Sequence, residues 1–214
     1  MRNVDPIVLS LILGLLALVP IILVTTTSFL KIAIVLSLVR NALGVQQAPP
    51  NMAIYSLALM LTIYVMAPVG HEMAEIVGKG GPATASSVVQ DMKNASEPLR
   101  KFMVSYSKPE QRDFFLGTAK KLWPAHLSGG AKPDDFLIVA PAFVVSELTA
   151  AFQIGFLLYL PFVVIDLIVS NILMAMGMMM VSPITISLPL KLFLFVMVDG
   201  WSRLLHGLVT SYVS

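Results

Sequence analysis

The 214 residues contain no cysteine and only three histidines. Disulfides, thiol catalysis and thiolate metal sites are therefore excluded. His71, His126 and His206 are too few and too scattered for an imidazole-rich zinc centre. Charge is scarce as well. Asp, Glu, Lys and Arg make up 12% of the chain, about half of the quarter usual in soluble domains. The net charge of +2 gives no basic footprint for nucleic acid, and none is expected as a partner. Period-two alternation is missing and the apolar runs are too long for barrel strands, which disfavours a β-barrel. There is no H-E-x-x-H, no G-x-S-x-G and no P-loop; Lys79 follows Gly78, but the P-loop pattern is absent around it. His206, Glu147 and Asp166 are the residues an intramembrane enzyme would have to use, and no motif accompanies them. The chain is expected to be no enzyme and to carry no cofactor or metal.

Apolar residues fill the space that charge leaves. They form 57% of the chain, with a mean hydropathy of +0.86. Four long apolar stretches stand out. The first is Ile7–Leu30, continuing in helical style to Val39, and the second is Met52–Val69. The third runs from Phe136 to Val181, interrupted by Glu147-Leu148-Thr149 and Pro161. The fourth is Ile184–Val198, running on to about Val213. A membrane span needs about 20 apolar residues, so Met52–Val69 is marginal and the others suffice. The first stretch exceeds a signal-peptide core and lacks an A-x-A-like site, so it reads as retained.

The charges concentrate elsewhere. Nine of the 14 basic and eight of the 12 acidic residues lie between 70 and 135. Gly78, Gly80, Gly81 and Pro82 open this segment and Gly129-Gly130 and Pro133 close it, as loops do. Within it, Gln90–Ser105 and Glu110–Leu122 carry apolar residues at helical spacing. The chain thus divides into residues 1–69, a soluble and mostly helical insertion at 70–135, and residues 136–214. The expected fold class is all-α: membrane-associated helical hairpins with broken, kinked helices. Lys31 and Arg40, with no acid between 31 and 51, favour the cytoplasm for that loop. The N-terminus and residues 70–135 would then face the other side.

Two features break the rules for helices lying in lipid. Pro20, Pro68, Pro141, Pro161, Pro183 and Pro189 fall in or beside apolar stretches. Each removes a backbone donor, and freed carbonyls must be buried in protein or line a wet cavity. Lys31, Glu147, Asp166, Lys191 and Asp199 are isolated charges in or beside the same stretches, and each costs roughly 2.5–3.5 kcal/mol at mid-bilayer. Asp199 and Arg203 are four apart and can pair on one helix face; Lys191 and Asp199 lie two turns apart on roughly one side. Glu147, Asp166 and Lys191 have no opposite charge three or four residues away, which points to partners in other subunits of an oligomer.

The sharpest local feature is Met174-Ala175-Met176-Gly177-Met178-Met179-Met180, five of the 13 methionines in seven residues. Successive helical residues point about 100° apart, so Met178, Met179 and Met180 cannot all face one core from a helix. Ser182-Pro183 follows, and the residue before proline leaves the helical region. The triplet therefore belongs at a helix end, at the tip of a hairpin, where Gly177 permits close approach. Methionine is long, unbranched and polarizable and repacks around variable neighbours. Such side chains either fill a core or lipid face, or ring a hole that must close and part.

Arg40-Asn41-Ala42-Leu43-Gly44-Val45-Gln46-Gln47-Ala48-Pro49-Pro50-Asn51-Met52 resembles the first-loop signature of the type III secretion R proteins (the SctR, YscR and HrcR group) and their flagellar counterpart, FliP. The stretch from Gly155 to Trp201 resembles the C-terminal signature of that family, and Pro141-Ala142-Phe143 and Ser146-Glu147-Leu148 fit its pattern. The resemblance covers about residues 7–69 and 136–212; residues 70–135 match poorly. A first stretch without a cleavage site is similar to the virulence branch rather than the flagellar one.

The resemblance implies a helical oligomer of about five copies, joined by S and T subunits into an export gate. This gate would sit in the bacterial inner membrane, at and above its periplasmic face, within the secretion basal body. It further implies contact with the U switch subunit, the V export-gate subunit, the inner rod, lipid and the unfolded proteins that pass through. Met178, Met179 and Met180 would form a gasket across the channel. Lys31, Glu147, Asp166, Lys191, Asp199 and Arg203 would be buried or inter-subunit charges, and Gly177, Pro161, Pro183 and Pro189 would shape the hairpin tip and kinks. Two other classes remain: a small-solute channel or transporter, which lacks support from any selectivity-filter motif or inverted repeat, and a scaffold with no pore-lining role.

Overall fold

Long runs rich in Leu, Ile, Val, Ala and Phe, too long for strands and with few turn residues, leave the helix as the way to satisfy backbone hydrogen bonds within each segment. The computed structural model describes residues 17–18, 20–45, 48–78, 85–178 and 180–213, with the backbone alone over 85–92. Among the described residues every regular element is a helix. These are α1 (Pro20–Thr26), α2 (Phe29–Ala42), α3 (Asn51–Gly78), α4 (Ala85–Tyr106), α5 (Pro109–Leu122), α6 (Ala125–Ser128), α7 (Phe136–Ala175), α8 (Pro183–Met197) and α9 (Gly200–Thr210).

The two interruptions expected in the third stretch, at Glu147-Leu148-Thr149 and at Pro161, do not end its helix. α7 runs for 40 residues through Pro141, Glu147-Leu148-Thr149 and Pro161. α3 passes Pro68 and α8 passes Pro189 without ending. A proline removes one helical hydrogen bond and crowds the preceding turn, which kinks a helix but ends it only where nothing else holds the chain. Glu147 interrupts the hydropathy, not the helix, since Glu and Leu are good helix formers. One unexpected break occurs. The fourth stretch bends by 61° between α8 and α9, where Asp199 adopts a left-handed conformation at φ 53°. Asp tolerates that region better than most residues. Gly200 follows because a Cβ there would lie 2.4 Å from the Phe195 ring.

The chain forms two compact units, drawn from Met1–Leu30 with Met66–Ser146, and from Lys31–Val65 with Glu147–Ser214. In the first, Met103, Ile138, Val139 and Phe143 are fully buried. The Phe102 ring lies 4.9 Å from Tyr106 and 5.8 Å from Phe143. The Lys108 amide donates to Ser146 Oγ at 2.9 Å, and that hydroxyl donates to the Ala142 carbonyl at 2.7 Å. Arg100 donates to Glu97 and, at 2.8 Å, to Asp134. The hydrogen bond from Arg100 holds the Glu97 carboxyl below its ordinary range, with desolvation opposing it.

In the second unit, Ile32, Val35, Leu36, Val39 and Ala42 form the buried stripe of α2, at the i, i+3, i+4, i+7 spacing of one helix face. Gly155 of α7 lets this helix approach closely, since a Cβ would meet Leu38 Cδ1 at 2.3 Å. α3 buries only Ile54, Ala58 and Thr62 and leaves Met52, Tyr55, Met60, Ile63 and Tyr64 exposed.

α3 and α7 are each long and apolar enough to cross a membrane, and the pairs α1 with α2 and α8 with α9 qualify only as bent spans. Just 17% of the apolar window of α3 or α7 is buried within the chain, so most of this greasy surface requires a cover of lipid or protein. At 1.5 Å per residue α7 measures ~60 Å along its axis, twice the ~30 Å hydrocarbon core of a bilayer.

Candidate functional site

The methionine run lies in the turn between α7 and α8. α7 stops at Ala175 because Gly177 turns left-handed, with φ +74°. The Gly177 amide donates to the Met174 carbonyl at 3.0 Å and the Met178 amide to the Leu173 carbonyl at 2.9 Å. These two bonds are the paired closure of a Schellman C-cap, with Gly177 as its left-handed residue. Nothing lies within 4 Å of a Cβ built on Gly177. Within the chain, the requirement for this glycine is thus the backbone conformation itself. Replacing it with Ala is expected to destabilise the turn by ~1 kcal/mol, and replacing it with Asn by less, because Asn tolerates the left-handed region. Thermal unfolding of the purified chain checks both.

Beyond the cap, Met178 is 40% exposed and Met180 fully so, with Met174 and Met176 also exposed. Met179 lies outside the described residues. Pro183 then starts α8 at its first position, where the missing amide costs nothing.

The hairpin carrying this turn is stapled lower down. Lys191 Nζ of α8 donates to Asp166 Oδ2 of α7 at 2.5 Å and to the Ala42 carbonyl at 3.4 Å. The Ser187 hydroxyl donates to Asp166 Oδ1 at 2.6 Å. Lys191 and Ser187 are buried, while Asp166 keeps one side toward a cavity of about 330 Å³ bordered by Asn41, Tyr159 and Ile184.

A second cluster is deeper. Lys31 Nζ lies 3.3 Å from Glu147 Oε1, and both residues are at most 4% exposed. The Tyr212 hydroxyl donates to Glu147 Oε2. The ammonium also sits 3.7 Å from the centre of the Tyr212 ring, within cation–π range.

The charges that lacked helical neighbours therefore find partners inside the chain, 116 and 25 residues away. Asp199 and Arg203 do not pair: both are exposed, and only the Arg203 backbone amide bonds to the Asp199 carbonyl, at 3.1 Å. Lys191 pairs with Asp166 rather than lying along Asp199. The left-handed turn at Asp199 removes the straight helix that both pairings assumed. Arg40 lies within α2 and donates to Asn51 Oδ1 at 2.5 Å. With Lys31 buried, neither base is a free loop charge of the kind that reports orientation. Tyr212 and Ser187 carried no sequence signal, because each gains its role from a carboxylate 65 or 21 residues away.

A family model described as FliP matches residues 12–208. The chain belongs to the FliP family. The match runs through the charged middle segment, which the sequence motifs alone left outside the resemblance. Among FliP-family relatives, the Yop proteins translocation protein R of Yersinia pestis is 53% identical over 210 residues, covering 97% of both chains. The harpin secretion protein HrcR of Erwinia amylovora is 49% identical over 98% of this chain and 97% of its own. The virulence protein YscR of Salmonella typhimurium is 48% identical over 97% of each.

Proposed function

We propose that this chain is a core subunit of the inner-membrane export gate of a type III protein secretion system, and that unfolded proteins pass through the channel it helps to enclose. The observation that carries this reading is the methionine turn. An exposed, flexible, apolar tip is presented by a hairpin that the Asp166–Lys191–Ser187 network holds rigid. Nearly full-length similarity to relatives named for translocation and secretion supports it.

In this reading several copies, about five, stand side by side with S and T subunits. Their apolar faces cover one another, which answers the scarcity of burial within a single α3 or α7. Met178, Met179 and Met180 from each copy project inward, close the hole at rest and part around a passing chain. Helices longer than the bilayer is thick suit a gate at and above the periplasmic face of the membrane. The division into 1–69, a soluble insertion at 70–135 and 136–214 belongs to the same proposal. So do contacts with the U and V subunits and the inner rod.

The test is purification from membranes in mild detergent, with and without coexpressed S and T subunits, alongside secretion by cells lacking this chain. The expected outcome is a complex several times heavier than the 23.2 kDa chain and loss of export without it. A stable monomer that ignores S and T, with export intact in its absence, overturns the reading.

A further inference from the structure

From Met174 to Met180 the chain uses only Met, Ala and Gly. The helices on either side are filled with Leu, Ile, Val and Phe, which supply apolar bulk equally well. Methionine adds two properties to bulk, an unbranched stem and a polarizable sulfur. The absence of cysteine removes thiolates from the chain, but thioethers are soft donors too.

The turn gathers these sulfurs. The Met178 amide bonds back to the Leu173 carbonyl at 2.9 Å, which folds Met178 over the last turn of α7, the turn that carries Met174. The Val181 amide bonds to the Met178 carbonyl at 3.4 Å, which keeps Met180 close to Met178. Met174, Met178 and Met180 are all exposed, so each thioether can swing on its stem without leaving a packed core. No Asp, Glu, His, Lys or Arg occurs between Asp166 and Lys191. Hard cations require oxygen ligands, and a divalent ion would keep its full charge among neutral sulfurs. A soft monovalent ion leaves one charge at a tip that is open to water.

We propose that the methionine turn is a soft-metal site, in which the sulfurs of Met174, Met178 and Met180 close on one Cu(I) ion. The site requires only the turn, and it stands or falls independently of any pore.

The test adds Cu(I), kept reduced by ascorbate without oxygen, to the full detergent-purified chain with its methionine methyls isotopically labelled. A chromophoric Cu(I) chelator competes for the ion. One ion per chain is expected, with the methyl resonances of Met174, Met178 and Met180 shifting together. Buried Met103 should not move. Met52 and Met60 are exposed as well but lie two helical turns apart on α3, so they report what a single thioether does. Changing Met174, Met178 and Met180 together to Leu keeps the apolar bulk. It should weaken the hold on Cu(I) by at least about a hundredfold, because each further sulfur binds at the high effective concentration its short tether gives. Zn(II) should leave the turn unshifted. Equal shifts at Met52 and Met60, an affinity that the Leu variant retains, or Zn(II) held at the turn as tightly as Cu(I) overturns the proposal. The shift map of the unaltered chain decides the matter even where the Leu variant fails to fold.

Discussion

Glu147→Ala is expected to cost the second unit about 3–5 kcal/mol, the loss seen when one partner of a buried ion pair is removed. The magnitude follows from what the carboxylate leaves behind. The Lys31 side chain would be left at 4% exposure with only the Tyr212 ring face for company. That contact is worth about 2 kcal/mol at best when desolvated. The Tyr212 hydroxyl would lose its acceptor, a further cost of ~1–3 kcal/mol if water cannot reach it. Glu147→Gln keeps the volume and one acceptor oxygen, so its loss should be smaller. Tyr212→Phe removes one hydrogen bond without stranding a charge and should cost ~1 kcal/mol. The revealing variant is the double one. Lys31→Met with Glu147→Met strands no charge, only the Tyr212 hydroxyl, and should recover much of the loss, because two charges no longer need to be taken out of water. Unfolding of the detergent-purified chain, read as a double-mutant cycle, measures the coupling. A single Glu147→Ala variant within about 0.5 kcal/mol of wild type would falsify the stabilising role of the cluster.

That cluster also shows where sequence reasoning reached and where it stopped. Lys31 and Glu147 are legible as charges that cannot stand alone in an apolar run. Their partnership is not, because local rules search three or four residues along a helix and this pair is separated by 116. The same limit hid Asp166 with Lys191, although the fold brings them within 2.5 Å. Helix content was plain from the apolar runs. Helix ends were harder, since hydropathy dips and prolines are weak punctuation when neighbours hold the chain. Pro161 lies inside α7, whereas the true break falls at Asp199, where a single left-handed residue and a ring packed on Gly200 decide the matter. Gly177 was read as permitting close approach at the hairpin tip, whereas within this chain its visible requirement is conformational. Its value is the sign of φ, which a sequence hints at only through the identity of the residue.

Replacing Met178, Met179 and Met180 together with Ala is expected to make an assembled gate leak small solutes by roughly an order of magnitude over wild type, with the fold intact. The fold should survive because the described members of the triplet are exposed and lie outside the buried core. Met178 is 40% exposed and Met180 wholly so, and the turn is closed by backbone bonds through Gly177 rather than by side chains. Exposed apolar side chains at the tip of a hydrogen-bonded hairpin call for a cover of lipid or protein. If that is the same tip on neighbouring copies, truncation to Ala widens the hole between them. A triple change to Leu separates sealing from softness. Leu keeps apolar bulk but branches at Cγ and repacks less freely, so it should hold the seal while slowing the passage of substrates. Dye or ion flux through membranes containing the gate reads the first property, and secretion of a reporter protein reads the second. A scaffold that never lines a channel predicts no change in either, for Ala and Leu alike. An ion-selective channel predicts altered conductance from this chain alone, without its partner subunits. Leak that appears only in the assembled complex, and only with Ala, is the pattern a deformable seal requires.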